Sequence, residues 1–349
     1  AACLLGRRGH EVTVVERDQG VRSSGNPVDV RGAAFDVVAE LGLAARLSEL
    51  ATAVRRLELV DASGRRVGSM STRRSEQREV EVLRADLCAL LVEAAGRAAD
   101  MRFGDSITGL RTDGGGVDAT FESGAPARFD LVVGADGLHS RVRRLVFGPE
   151  TDFVTPFGLY LATVPLAEPA GRADTVVMYN QPGAATALHP GRGVPGVAFI
   201  FRSTSEVDPR NADAAAALLQ RVYTGARWRV PELLDSYLAS PDRYFDAVSR
   251  VRVPVWSRGR VALLGDAASS ISIFGEGSSS AIAGAAALAG ALTGSEGDVH
   301  AGLRRYESGH RTASRRGQRT AGLISHVLVP ATGRGLAARN IALRLTRHR

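Results

Sequence analysis

The sequence predicts an α/β protein with α+β elements, in which strand–turn–helix units of the doubly wound kind are interleaved with a second, β-rich region. Two observations predict the first part. The short apolar runs 131–133 and 261–264 each stop at an acidic turn opened by a glycine, and each turn leads on to a helical segment. One observation predicts the second part: from about residue 153 to 250 the pattern changes to strand-like runs separated by Pro and Gly.

In chain order, residues 1–8 read as the end of a helix, and Gly9 suits the left-handed residue that closes one. Residues 11–15, E-V-T-V-V, form a strand that ends at Glu16-Arg17. In a dinucleotide-binding unit an acidic residue at that place accepts from ribose hydroxyls. Residues 25–32, G-N-P-V-D-V-R-G, are a loop entering a strand, and 33–50 are helical with an interruption at Gly42. Residues 54–71 read as a β-hairpin turning at Ser63-Gly64. A strand at 79–83 precedes a helix opened by Arg84 and running to about residue 98. Residues 101–129 alternate and turn at Gly114-Gly115-Gly116, as a meander does.

In the β-rich region, strands are expected at 175–179, 184–188 and 197–202, and helices at 212–224 and 231–239. Phe199 and Phe201 share one face of the 197–202 strand, with Ile200 and Arg202 on the other. A long Arg-rich helix spans 299–328 and stops at Pro330; 331–349 is a short basic amphipathic helix expected to pack on a sheet.

Composition removes several chemistries. All 44 basic residues are arginine, so a Schiff-base lysine and a P-loop lysine are excluded. The net charge of +7 comes from scattered arginines with no interleaved aromatic pattern. That describes a solvated surface favouring anionic ligands rather than a nucleic-acid face. Two cysteines, Cys3 and Cys88, fit a reduced, cytoplasmic setting and supply no disulfide framework or metal cluster. No signal peptide opens the chain, no run is apolar enough for a membrane span, and stable membrane association is not expected.

The richest stretch is 256–292, W-S-R-G-R-V-A-L-L-G-D-A-A-S-S-I-S-I-F-G-E-G-S-S-S-A followed by an Ala/Leu helix. A buried strand, an acidic turn, a Gly-rich loop and a helix N-terminus together suit a partly anionic ligand. Asp266 at the strand end suits a ribityl hydroxyl, and Ser278, Ser279 or Ser280 can cap the helix. The second such stretch is 130–143, D-L-V-V-G-A-D-G-L-H-S-R-V-R.

Taken whole, the two stretches resemble the FAD motifs of the class A flavin-dependent aromatic hydroxylases, the family of p-hydroxybenzoate hydroxylase and the tetracycline-inactivating monooxygenases. The resemblance implies that Gly265, Asp266, Gly275, Gly277 and Ser278 meet the flavin, and that the D-G-x-x-S-x-x-R residues Asp136, Gly137, Ser140 and Arg143 serve FAD and a transient NADPH. It places Arg84, Asp29, Glu16 and Arg17 on FAD and Arg22 on NADPH. Met178, His189, Phe201 and Arg202 are the candidates to meet substrate. Ser269 stands where the family has His or Tyr. No side chain is assigned as the catalytic base, and no metal is implied.

The implied architecture is an incomplete Rossmann-like FAD-binding domain at 1–152 and 251–298, a substrate-binding β-sheet domain at 153–250, and C-terminal helices at 299–349. The hairpin 54–80 is expected to be lent to the substrate domain. The family's first strand and its G-x-G-x-x-G belong ahead of residue 1, so the chain is expected to be truncated there. The implied activity is NADPH- or NADH-dependent hydroxylation of an aromatic or polyketide-like substrate, through O2 added at the flavin C4a. A flavin halogenase is disfavoured, since that chemistry uses a lysine. A geranylgeranyl-reductase-like flavoprotein, or a non-catalytic remnant that binds a partner, are the alternatives.

Overall fold

The structure, a computed structural model, describes residues 1–20, 26–72, 78–168, 171–192, 194–271, 276–295 and 297–345. The two apolar runs before the acidic turns become the strands Val132–Gly134 and Val261–Leu263. They lie side by side in parallel, Gly134 opposite Leu263, although more than a hundred residues of chain separate them. Ser257–Arg258 adds an antiparallel edge. Val261, Ala262 and Leu263 are all buried, as in a parallel strand covered on both faces. The strand Thr13–Glu16 pairs in parallel with Asp100–Phe103. Pro27–Arg31 pairs antiparallel with Glu79–Leu83, and the helix Arg84–Ala95 starts directly from the latter. A hydrophobic cluster including Leu4, Val38, Leu90, Val132, Leu263, Leu288 and Tyr306 binds these pieces to the helices Ala33–Glu40, Glu276–Thr293 and Val299–Leu328.

The β-rich region is a sheet of eight strands among the described residues. Its order is Ser269–Ile271, Tyr244–Arg252, Val154–Pro165, Gly196–Arg202, Ala184–His189, Thr175–Gln181, Arg56–Val60 and Arg66–Ser71. Pairing is antiparallel except between Arg56–Val60 and Thr175–Gln181. The sheet therefore recruits a hairpin from early in the chain, and at its other edge the segment after the Gly265-Asp266 turn.

Two of its longest strands, Val154–Pro165 and Tyr244–Arg252, are absent from the sequence expectation. Pro156, Gly158 and Pro165 mask the first; a register shift between Pro156 and Leu159 absorbs Pro156 and Gly158, and Pro165 is the strand's last residue. In the second, Asp246 and Arg250 interrupt the apolar pattern.

The two faces of this sheet differ. The rear carries Tyr160, Phe199, Phe201 and Phe245, and the helices Ala212–Val222 and Val230–Ala239 cover it with Leu218, Leu219, Leu233 and Tyr237. Burying such a side chain contributes roughly 1.5–3 kcal/mol. Phe201 is stacked on Tyr160 with ring centroids 5.6 Å apart and is fully buried. It is a core residue under the helices, which corrects its expected role toward substrate. By strand alternation the front carries Leu161, Val176, Met178, Ala187, Ala198, Ile200, Asp246 and Val248. Val329, Leu328 and Leu343 from the C-terminal helices pack on part of it, against Met178, Ile200 and Leu159. Met178 is buried there.

Arg202 points to the front but meets the end of the long helix. Its Nε donates to the Val329 carbonyl at 2.9 Å and one terminal nitrogen to that of Ser325 at 3.1 Å. Carbonyls at a helix C-terminus lack intrahelical donors, and a guanidinium satisfies them. The expected substrate contact is thus a helix cap. Among the described residues no helix is long and apolar enough to cross a membrane.

Candidate functional site

Ligands of open α/β sheets bind at the carboxyl ends of the strands. Here the carboxyl ends of Val132–Gly134 and Val261–Leu263 adjoin, and each runs into its acidic turn. Gly134 makes the closeness possible. A Cβ there would stand 2.7 Å from Val142 Cβ and 3.0 Å from Leu263 Cδ2. Gly137 and Gly265 turn at φ +78° and +62°, conformations that favour glycine. A Cβ on Gly265 would also lie 3.1 Å from Ala281 Cβ, so the helix Glu276–Thr293 sits directly against the turn.

Asp136 and Ser140 build the start of the helix Arg141–Val146. Ser140 Oγ accepts from Arg143 N at 2.9 Å and donates to Asp136, whose other oxygen accepts from Val142 N at 3.0 Å. That is side-chain capping of the helix N-terminus. Ser140 is fully buried, so its expected contact with NADPH gives way to this cap. Asp136 stays exposed.

Arg143 is also fully buried. Its terminal nitrogens donate to the Ala267 carbonyl at 3.0 Å and the Leu138 carbonyl at 2.6 Å, with Glu150 at 3.5 Å. Ala267 belongs to the Gly265–Ala267 turn and Leu138 to the other. Arg143 is therefore the tie between the two motifs rather than an open fork for phosphates, which corrects its assignment to NADPH.

Asp266 occupies the centre. Burial raises its pKa above the ordinary carboxylate value, and the nearby Arg84 charge opposes that. A Cβ on Gly277 would lie 3.4 Å from Asp266 Oδ1, so the first turn of the Glu276–Thr293 helix faces this carboxylate. Arg84 is exposed at the first position of its own helix. Tyr244, on the sheet strand, feels both Arg84 and Asp266.

Ser279 joins the helix to a second strand pair: its hydroxyl donates to the Asp29 carbonyl at 2.7 Å and accepts from Arg31 N at 3.1 Å. Asp29 and Glu81 stand opposite one another in that pair, hence on one face. Glu81 in turn meets His189 Nε2 at 3.1 Å. Of the expected site residues, Arg84, Asp266, Gly265, Gly277 and Ser278 gather at this centre, and Asp29 joins it through Ser279. His189 lies at the rim, while Glu16 and Arg17 are exposed at the end of the Thr13–Glu16 strand. Arg22 and Gly275 lie outside the described residues.

Sequence reading passed over His139, Glu150, Asp246 and Tyr244. His139 lies inside the D-G-x-x-S-x-x-R stretch and was open to notice. Asp246 and Tyr244 were not, since only the sheet brings them here. Ser269, the departure from the family pattern, accepts from Ser314 Oγ at 2.7 Å and Gln318 Nε2 at 2.9 Å on the long helix.

Residues 1–320 match the family model described as an FAD binding domain. The chain belongs to that family. An uncharacterised Mycobacterium tuberculosis protein, Rv1260, is 39% identical over 317 residues, which are 88% of this chain and 85% of that protein. A flavin-dependent monooxygenase of Legionella longbeachae is 29% identical over 318 residues, 88% and 81% of the two chains. The crystal structure of the tetracycline destructase Tet(51) superposes with a TM-score of 0.84 at 27% identity, over 98% of this chain and 91% of that one.

The chain is an FAD-dependent monooxygenase. The residues present fit that cofactor. A half-buried carboxylate at Asp266 suits sugar-alcohol hydroxyl donors, Arg84 suits phosphate or ring oxygens, and the first turn of the 18-residue helix favours negative charge. Positive-φ glycines at both turns keep side chains away from where a flat ligand would lie.

Proposed function

We propose that this monooxygenase takes its electrons from NADPH or NADH and hydroxylates a planar aromatic or polyketide-like substrate held against the front face of the eight-stranded sheet. The observation that carries the reading is the contrast between the sheet's faces. The rear is filled by aromatic core, whereas Leu161, Val176 and Ala198 on the front are only partly buried. Two polar pairs stand on that side, His189–Glu81 and Tyr244–Asp246. A flat apolar wall with a few polar groups at its ends suits a fused-ring substrate with peripheral hydroxyls. The likeness to a tetracycline destructase supports the same class of ligand.

FAD, when bound, supplies the reductive activation of O2; the protein's part is to bind, orient and exclude water. Asp266 and Arg84 would hold the cofactor at the strand ends. The Glu276–Thr293 helix would place positive potential beside it, which favours an anionic reduced ring. Residues 153–250, with the strands that flank them, serve as the substrate domain on this reading, and the parallel strands with their turns as the FAD domain.

The test is NADPH oxidation by the full-length FAD-loaded protein, with phenolic and polyketide compounds added one at a time. A compound that speeds NADPH oxidation and gains one oxygen atom from labelled O2 is the expected result. Reduction of a carbon–carbon double bond without O2 consumption would instead establish a reductase.

A further inference from the structure

A line of polar side chains joined by hydrogen bonds and ion pairs runs from the half-exposed His139 to the Gly265–Ala267 turn. Tyr244 donates its hydroxyl to Asp246 Oδ2 at 3.1 Å. The same Oδ2 lies 3.6 Å from His139 Nε2, and His139 Nδ1 lies 2.9 Å from Glu150 Oε1. Glu150 also receives Arg144 at 3.1 Å and faces the buried Arg143 at 3.5 Å. His139 thus bridges two carboxylates on different elements: Asp246 on the strand Tyr244–Arg252, next to one edge of the sheet, and Glu150 on the turn Glu150–Asp152 beyond the Arg141–Val146 helix. Both carboxylates are mostly buried, at 16% and 28% side-chain exposure, while the imidazole is 46% exposed.

We propose that His139 is a positioning residue for the cofactor: by bridging Asp246 and Glu150 it holds the Tyr244–Asp246 strand end against the two FAD turns. The proposal rests on the FAD-binding assignment. Its physical basis is charge. With the imidazole protonated, one cation lies between two carboxylates: Nδ1 donates to Glu150, and Nε2 carries an N–H toward Asp246 at ion-pair distance. With it neutral, one nitrogen carries no proton, and the cation between the two carboxylates is gone, although Tyr244 and Ala247 N still donate to Asp246 and Arg144 to Glu150. Asp246 and Glu150 are then held near each other with less compensation, and the sheet edge is released from the turns. Tyr244, which faces Arg84 and Asp266, moves with it.

The charged and titratable groups around His139 are Asp246 and the neutral Tyr244 from the sheet, Glu150 from the turn, and Arg143 and Arg144 from the helix. Arg144 also donates to the His139 carbonyl at 2.7 Å. Their sum favours the imidazolium: Asp246 first, then Glu150, raise the His139 pKa against burial. The contribution is therefore complete below the ordinary histidine value and is lost as pH rises through the raised one.

The experiment is FAD affinity of the full-length protein, read from recovery of free flavin fluorescence, between about pH 5.5 and pH 9. In the parent, affinity should fall roughly five-fold or more across the upper part of that range. His139→Gln, which keeps one donor and no charge, should bind FAD weakly with no such pH dependence. Asp246→Asn should move the midpoint to lower pH, and thermal melts of both variants show whether they fold. An unchanged pH profile in His139→Gln overturns the proposal, as does a flat profile in the parent. Absence of FAD binding at every pH overturns the cofactor assignment together with it.

Discussion

Arg143 donates to the carbonyl of Ala267 across 3.0 Å, with no part of its side chain open to solvent. The contact joins the two turns that a cofactor would touch, from positions more than a hundred residues apart. Each turn alone is a short loop after a three-residue strand. Joined, they form one edge, whose shape depends on a guanidinium that the ligand need never meet.

Replacing Arg143 by methionine keeps much of the volume and removes every donor. The Ala267 and Leu138 carbonyls and Glu150 then lose a partner in a buried place. Breaking such an arrangement costs about 3 kcal/mol or more. Urea unfolding should show the loss without FAD present. A stable variant with normal FAD binding but slow reduction by NADPH would return Arg143 to the reductant.

Gly134→Ala tests the packing that brings the motifs together. Its Cβ would meet Val142 Cβ and Cγ1 at 2.7 Å. Overpacking of this kind costs about 1–3 kcal/mol. Val142→Ala removes Cγ1, one of the two obstructing atoms, and leaves the Cβ, so the double variant should recover only part of the loss, measured as a coupling in a double-mutant cycle. Strictly additive effects would place the strain elsewhere.

Asp266→Asn should separate stability from function. Burial raises the Asp266 pKa, so the ionised form disfavours the fold; that cost is present at neutral pH and fades as pH falls through the raised value. Asparagine removes the charge. The apo protein should melt at a higher temperature at neutral pH, while FAD affinity drops about tenfold or more for the loss of a charge-assisted hydrogen bond, worth about 1.5–3 kcal/mol. Lower stability together with unchanged affinity would contradict both halves.

Much of this was legible in the chain. The strand Glu79–Leu83, the long helix Val299–Leu328 and the turn at Gly64 lie where apolar spacing and turn residues put them. The acidic turns and the family were readable because those residues are contiguous. What was not legible depends on pairing between distant segments. Val154–Pro165 carries breakers that only its neighbours in the sheet override. Phe201 and Ile200 differ by one position, and only the cover of helices 212–222 and 230–239 decides that Phe201 lies beneath them while Ile200 packs on the opposite face. Arginine is the hardest case. Arg84, Arg143 and Arg202 look alike in sequence, yet one is exposed at the site, one is a buried tie and one caps a helix.

His189 gives the last test, since it lies between a structural and a substrate role. Gly191 N donates to its Nδ1 at 2.9 Å, which leaves the proton on Nε2, 3.1 Å from Glu81 Oε1. Glu81 also accepts from Thr52. Burial pushes the Glu81 pKa up, but His189 and then Thr52 outweigh it, so the value ends below its ordinary 4.5. A lowered carboxylate pKa stabilises the fold above the ordinary value, and that stability is lost as pH falls through the lowered one. Glu81→Gln should cost about 1 kcal/mol at neutral pH and make the acid limb of the stability curve shallower. His189→Ala should do the same if the pair only fastens the sheet to the Glu79–Leu83 strand. A rise in KM for the substrate at unchanged stability would instead show that His189 reaches into the site. Equilibrium denaturation at several pH values, beside steady-state kinetics on the same variants, separates the two.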